Sequence, residues 1–364
     1  KLGTLSNLLN NRYELTEDFI QFALGIDEKV AKQAMQELKD VKLLRFNPFV
    51  DSYELYEGAA VVFENVLKLA EGRVVLDANL RIEALQELFG EKYHLPLGYN
   101  TSKSMTRYIE TKFAFVDQEF TVDSTSDGTL LYILSKNAKE IEQVKERIEG
   151  YRNSDVLFGI TDLKVDQLLD YTNQYVVLKE MLSMQDVLNE HANLKKEILI
   201  RIDAMAYRIQ KLLQPLKMFN SEAVSFYMNG EPVTIANTNE FAKFIDQWMF
   251  ERFPNTPEVR NESFNKRNVM KIQRKSAIEL LSGYGPDYLI YATTFKNLKF
   301  NFSNLDKQKT PELKALRERL VKHIEVADRN SIYSLFSIAL EEPFGIREPL
   351  VPLLVVALIK DKWN

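Results

Sequence analysis

Side chains able to make or break bonds are few in this sequence and poorly spaced for the work. Its 364 residues contain no Cys and only three His, at positions 94, 191 and 323. Without thiols there is no disulfide framework, thiolate nucleophile, zinc ribbon or iron–sulfur ligation. Histidines this far apart offer neither a metal cluster nor a base beside a nucleophile. His191 lies near an apolar helical seam and reads as a packed histidine. A phosphate-cradling loop needs G-x-x-x-x-G-K-[ST], because amides and a Lys must surround the phosphates. The nearest string, Gly90-Glu91-Lys92, lacks the first Gly and the hydroxyl residue. The apolar run Val156–Ile160 leads to Asp162, as a strand before a magnesium-binding Asp would, but an Asp that caps the next helix looks the same. A PD-(D/E)xK-type nuclease needs an Asp followed by a strand bearing an acid and a Lys two positions apart. Asp123 or Asp127 precedes the strand Thr129–Leu134, yet that strand carries no acid and only Lys136 follows it. Glu341-Glu342 and the dispersed Asp residues lack paired spacing and read as solvated surface. No catalytic residue, metal or cofactor is expected, with a cryptic metal-dependent nuclease around Asp127 as an alternative.

Binding chemistry is better represented. The chain is mildly acidic, with 47 Lys and Arg against 52 Asp and Glu for a net charge of −5. Against that background, Arg260, Lys266, Arg267, Lys271, Arg274 and Lys275 cluster beside the single acid Glu262. Arg267, Lys271, Arg274 and Lys275 share one helix face, as a row of cations that neutralises phosphates would. The same row suits a solvated face or an acidic protein surface. A second candidate lies near the start, where one predicted helix presents Lys29, Lys32, Gln33 and Gln36. In a major groove, Gln33 or Gln36 could read adenine while Lys29 or Lys32 holds phosphate; Glu28 and Glu37 on the same helix dilute its potential.

These residues need elements to hold them, and the pattern is mixed but mainly α. Residues 1–58 read as a winged helix. Leu5, Leu8 and Leu9 mark a first helix; Thr16 caps a second over Glu17–Leu24, which Gly25 ends; Asp27 caps a third. Val30, Ala34, Leu38 and Val41 form the expected core face of that third helix. Two short strands, Leu43–Phe46 and Tyr53–Tyr56, form the wing. Residues 59–162 read as a small α/β domain, with a helix over Val61–Leu69, a strand-like Arg73–Leu76 and a helix over Asn79–Phe89. Residues 104–116 fit either helix or strand. Strand, helix and strand over Thr129–Leu134, Ala138–Glu149 and Val156–Ile160 make a βαβ unit. Residues 163–220 read as a long helical hairpin, with Leu168–Leu182 as one arm. Ile198, Ile202, Met205, Ile209, Leu212 and Leu216 form the heptad-like seam of the other. Residues 221–300 form an α-rich domain with a short hairpin at Asn229-Gly230, and residues 301–364 a truncated winged-helix-like domain. The apolar run Leu350–Ile359 has ten residues against the ~20 of a membrane span, so it reads as a buried helix and no membrane partner is expected. The absence of Cys suits a cytoplasmic setting. The chain starts without Met and stops where a wing would follow, as a piece of a longer protein would.

Three groups of strings resemble the regions downstream of the P-loop in large multidomain bacterial ATPases of phage-defence and restriction operons, BREX-like and related. They are Tyr99-Asn100 with Thr106-Arg107-Tyr108; Phe253-Pro254-Asn255-Thr256-Pro257 with Asn261-Glu262 and Asn265; and Pro343-Phe344-Gly345-Ile346 before Leu350–Leu358. The resemblance implies a non-catalytic regulatory segment of an ATP-driven defence protein, contacting DNA or other domains and subunits of a defence complex. It carries over no catalytic residue. A protein-binding scaffold built on the helical hairpin is the remaining alternative.

Overall fold

The computed structural model describes residues 15–41, 43–47, 52–55, 60–120, 126–152, 155–190, 192–259, 267–326 and 331–362. In chain order the elements are α1 (Glu17–Leu24), α2 (Glu28–Asp40), β1 (Leu44–Asn47), β2 (Ser52–Leu55), α3 (Ala60–Arg73), α4 (Ala78–Phe89), β3 (Tyr93–His94), α5 (Leu97–Lys103), β4 (Ile109–Phe115) and β5 (Gly128–Leu134). They continue with α6 (Ala138–Glu149), β6 (Val156–Thr161), α7 (Val165–Ser183), α8 (Gln185–Glu190), α9 (Ala192–Lys217), β7 (Val224–Met228), β8 (Glu231–Val233) and α10 (Thr238–Arg252). The last are α11 (Arg267–Leu281), α12 (Tyr288–Ile290, continued by a π turn, Tyr291–Phe295), α13 (Pro311–Val326), α14 (Ile332–Leu340) and α15 (Val351–Ile359). The protein is mainly helical with a small mixed sheet of order β3-β4-β5-β6-β7-β8. Two compact units divide the chain: residues 1–92, 111–122 and 130–234 form the first, and residues 93–110, 123–129 and 235–364 the second.

In the first unit β5 and β6 are buried along their whole length, so they read as continuous apolar runs rather than alternating ones. Leu131, Ile133, Val156, Phe158 and Ile160 pack with Val144 and Ile148 of α6. On β5, Tyr132 points the other way: its ring lies 6.0 Å from that of Phe89 on α4, and its hydroxyl donates to the Leu216 carbonyl on α9 at 3.1 Å. Gly159 is required opposite it, because a Cβ there would come within 2.7 Å of the Tyr132 ring. The undecided segment 104–116 resolves as strand over Ile109–Phe115, paired at its start with β3. Asn229 and Gly230 both have positive φ, 51° and 81°, the type I′ geometry that joins β7 to β8. That hairpin, read with the α-rich segment, pairs antiparallel with β6 and extends the sheet.

Three local expectations are corrected. Arg73 closes α3, whose helical pattern runs on to a Val74 N–H bond to the Ala70 carbonyl at 3.1 Å; Asp77 then caps α4, which leaves no room for a strand at 73–76. On α9, which packs against α7, the buried seam is Leu194, Ile198, Arg201, Met205, Ile209, Leu213 and Leu216. Arg201 takes a seam position because Glu197 accepts its hydrogen bond at 2.7 Å and the Phe63 ring lies 4.1 Å beneath the guanidinium. Ile202 and Leu212 are displaced to its margins. Finally, α1 and α2 have the expected caps at Thr16, Gly25 and Asp27, but α2 turns a different face inward. Ala31 and Met35 are buried; Met35 packs with Leu15, Leu44 and Tyr53, while Val30, Leu38 and Val41 are 56%, 41% and 62% exposed. The hairpin β1–β2 decides this by supplying Leu44 and Tyr53 as partners beside Met35. The first helical pattern, at Leu5, Leu8 and Leu9, lies outside the described residues.

The second unit is built around α15, buried from Val351 and Leu353 through Ile359, with α11, α13 and α14 packed against it. An all-apolar helix of nine residues is what a central core helix looks like. Among the described residues no helix is long and apolar enough to cross a membrane. Arg317 of α13 is buried beside it and caps its end, donating to the Leu358 carbonyl and to both Asp361 oxygens at 2.7 Å.

Met35→Ala is expected to cost ~2–5 kcal/mol, as for a buried Met truncation, whereas Leu38→Ser stays within about 0.5 kcal/mol. Urea midpoints of the two variants measure this; equal losses would return Leu38 to the core.

Candidate functional site

The four residues proposed on α2 are all exposed, but each polar head is engaged by acids or lies among them. Lys32 Nζ donates to Glu28 Oε1 at 2.6 Å and lies 3.9 Å from Glu17 Oε2. The Glu28 hydrogen bond and charge hold the Lys32 ammonium above its ordinary pKa. Gln33 donates to Glu37 at 3.0 Å and Gln36 to Asp40 at 2.8 Å, both one turn along the helix. With Glu28, Glu37 and Asp40 interleaved among Lys29, Lys32 and Lys39, α2 presents no single-sign field.

The second cluster is different. Arg260 and Lys266 lie outside the described residues, and Arg267 opens α11. Lys271, Arg274 and Lys275 are exposed, while Gln273, Ser276, Ala277 and Leu280 are buried on the opposite side, where α11 packs on α15. Only Glu279 among the described acids of α11 joins this face, 3.5 Å from Lys275. A row of cations thus sits on a helix whose back is fixed to the core.

The most elaborate polar arrangement is one the sequence pattern did not reveal. Arg107 is buried, and its Nη1 donates to Asp127 Oδ1 at 2.6 Å. Its Nη2 donates to Gly345 O at 2.7 Å and Thr256 Oγ1 at 3.1 Å. The guanidinium carbon lies 3.6 Å from the Phe253 ring centroid and 5.3 Å from that of Tyr99. Asn100 clamps the Arg107 backbone, accepting its N–H at 2.8 Å and donating to its carbonyl at 2.9 Å. The Tyr99 hydroxyl donates to Thr256 Oγ1 at 2.8 Å, and Thr256 in turn donates to the Phe344 carbonyl. Asp127 Oδ2 takes Arg347 at 2.5 Å and the Tyr108 N–H at 3.1 Å, and the Asp127 carbonyl accepts from Arg252. Arg252 also meets Glu342 at 2.6 Å, so Glu342 is a network member as well as a surface acid. Tyr99-Asn100, Thr106–Tyr108, Phe253–Thr256 and Pro343–Gly345, strings that carry the resemblance, all converge here. The signal present in the sequence was an Arg isolated among aromatic, Asn and Gly/Pro-rich strings rather than in a charged run.

This geometry binds structure together and leaves Asp127 without a free oxygen for a metal. Asp123 lies outside the described residues; Lys136 is exposed and 3.9 Å from Asp166. Asp162 is exposed, and the residue at the start of α7 is Lys164, with no side-chain cap. His191 is also outside the described residues. His323 sits 3.1 Å from Ser334 Oγ, and His94 packs edge-on against Phe241 at 5.0 Å, its burial pushing its pKa down to about 4. Among the described residues no three His, Cys, Asp or Glu are placed to share a metal ion. A cleft of about 290 Å³ in the first unit lies beside Glu87, Tyr175 and Lys179, and Lys179 spans it to both Glu87 oxygens at 2.8 and 2.9 Å. A cleft of about 260 Å³ in the second lies beside Lys299, Thr310 and Glu312. Both fall under the ~300 Å³ usual for a small-molecule site. Comparison with protein-family models, curated proteins and solved structures gives no match in any of the three.

Arg107→Ala is expected to cost ~3–5 kcal/mol by leaving Asp127 buried without its main partner. Arg107→Lys recovers only part, because one ammonium cannot serve three acceptors in a fixed fork; urea denaturation of both variants checks the order. His94 stays neutral when folded down to about pH 4, while the unfolded chain protonates near 6.5. The unfolded state therefore binds the extra proton between these values. Stability is full above pH ~6.5 and falls by up to about 3 kcal/mol on approaching pH 4. In His94→Gln this part of the pH–stability slope should vanish, and an unchanged slope would assign it to other groups.

Proposed function

We propose that this chain is a non-catalytic contact segment of a larger ATP-driven defence protein, binding nucleic acid through the exposed face of α11. The single observation that carries the reading is the fixed row Lys271, Arg274 and Lys275 on a helix seated against α15. The backbone beneath these cations is already ordered, so meeting a polyanion requires no folding of the helix, and counterion release supplies the affinity. The defence setting rests on the resemblance. We read α1, α2 and β1–β2 as the second and third helices and the wing of a winged helix, α13–α15 as part of a second one, and α7 with α9 as a helical hairpin. A cytoplasmic location accords with the absence of Cys.

One observation favours a second contact, with another domain or subunit. On α2 the cations and glutamines are neutralised by neighbouring acids while Val30, Leu38 and Val41 stand in solvent, which suits a protein surface better than a major groove. The alternative of a metal-dependent nuclease at Asp127 loses its central ligand to the Arg107 pair.

The test is a mobility-shift titration of the chain with single-stranded and duplex DNA from about 50 mM salt upward. Binding should weaken steeply with salt, and Lys271→Glu with Arg274→Glu should reduce both the affinity and the salt slope, the slope by roughly 0.7–0.9 for each phosphate no longer neutralised. Absence of a shift at the lowest salt, or a charge reversal without effect, would sink the reading.

A further inference from the structure

The cationic face of α11 runs into apolar and aromatic surface. Ile278, one turn beyond Arg274 on the same face, is 64% exposed. The chain then turns at Gly283, with φ +84°, into Tyr284 and Tyr288, 69% and 84% exposed. This aromatic turn is anchored to the basic helix rather than hanging from it. The Asp287 N–H donates to Ser276 Oγ on α11 at 3.1 Å, and the Tyr284 N–H to the Glu279 carbonyl at 2.9 Å. The acids of the segment are already engaged: Glu279 meets Lys275 at 3.5 Å, and Asp287 accepts the Leu289 N–H at 2.9 Å as the cap of α12. Cations and exposed tyrosines therefore belong to one continuous anchored segment, α11 and the turn that follows it.

Resting on the nucleic-acid reading above, we infer that this surface takes single-stranded nucleic acid, with Lys271 and Arg274 on the phosphates and Tyr284 and Tyr288 stacking on bases. A duplex satisfies the cations equally well, but its bases are stacked on one another and offer no face to a tyrosine. A single strand satisfies both halves of the surface. An acidic protein segment would use the cations and leave the rings without a specific partner.

The test is fluorescence anisotropy on the full chain with a labelled oligo-dT of about 16 nucleotides, the same length of mixed-sequence duplex, and a poly-glutamate competitor. The single strand should bind about tenfold or more tighter than the duplex. Tyr288→Ala should lower single-strand affinity about fivefold to a hundredfold with the salt slope unchanged, Tyr288→Phe should restore it, and duplex binding should follow neither change. Lys271→Glu with Arg274→Glu should weaken both nucleic acids. Equal binding of the two forms, or a Tyr288→Ala without effect while charge reversal still weakens binding, overturns the stacking inference and spares the broader reading. Displacement of both nucleic acids by poly-glutamate at matched charge assigns the surface to an acidic protein and overturns it too. No binding of any probe removes both.

Discussion

Burying a guanidinium is costly unless its charge is balanced and its donors are used, and the second unit is assembled around that requirement at Arg107. Asp127 balances the charge, Gly345 O and Thr256 Oγ1 take the other arm, and Phe253 and Tyr99 cover its faces. These five partners arrive on four separate stretches of chain. Pairing the two terminal nitrogens of Arg107, whose Nε is left without a hydrogen-bond partner, thus fixes the entry to β4, the end of α10 and the turn between α14 and α15. Asp127 shares its second oxygen with Arg347, so the carboxylate is held between two cations and a backbone amide. Two cations around one buried carboxylate would carry a net charge if they stood alone. Arg347 is partly exposed, so water takes up that excess, and Arg252, which donates to the Asp127 carbonyl, brings its own balance in Glu342.

The same problem is solved twice more. Arg201 in the helical layer of the first unit is neutralised by Glu197 and covered by the Phe63 ring; Arg317 in the second answers the Leu358 carbonyl of α15 as well as Asp306 and Asp361. A cation near the C-terminal end of a helix also gains from the helix dipole. Each case commits a charged residue to architecture. The cations left outside, above all Lys271 and Arg274, are the ones available to a partner, and they stand on a helix whose inner face is committed to α15.

This division bears on function. Asp127, the carboxylate weighed for a metal-dependent nuclease, is absorbed by structural ion pairs, so the surface rather than a cleft carries the functional reading. Tyr99-Asn100, Thr106–Tyr108, Phe253–Thr256 and Phe344-Gly345 serve the Arg107 network together with Asp127. Their work is framework, and the roles of α2 and α11 are argued from their own side chains.

Local signals were legible in the sequence. Thr16 and Asp27 cap the helices that follow them, Gly25 ends α1, Asn229-Gly230 turns β7 into β8, and the apolar run at 350–359 becomes a buried helix. Each depends on residues within a turn or so of one another, or on composition alone. Of the candidate site, the row Lys271, Arg274 and Lys275 was readable because helical spacing places it on one face whatever the surroundings. Tertiary structure decided the rest. Helical periodicity gave α2 a plausible apolar face, but β1–β2 brought Leu44 and Tyr53 against Met35 and left that face in water. Arg201 took a seam position that a charge could hold because Glu197 pairs with it and the Phe63 ring lies beneath the guanidinium. The acceptors of Arg107 lie 20, 149 and 238 residues away along the chain, and no pattern of neighbours announces a partner at that distance. The sequence by itself determined where helices and turns begin and end, because those rest on short-range hydrogen bonds and sterics. Only the folded chain decided which charges are used inside and which remain to meet a ligand, because that depends on what distant segments bring to each side chain.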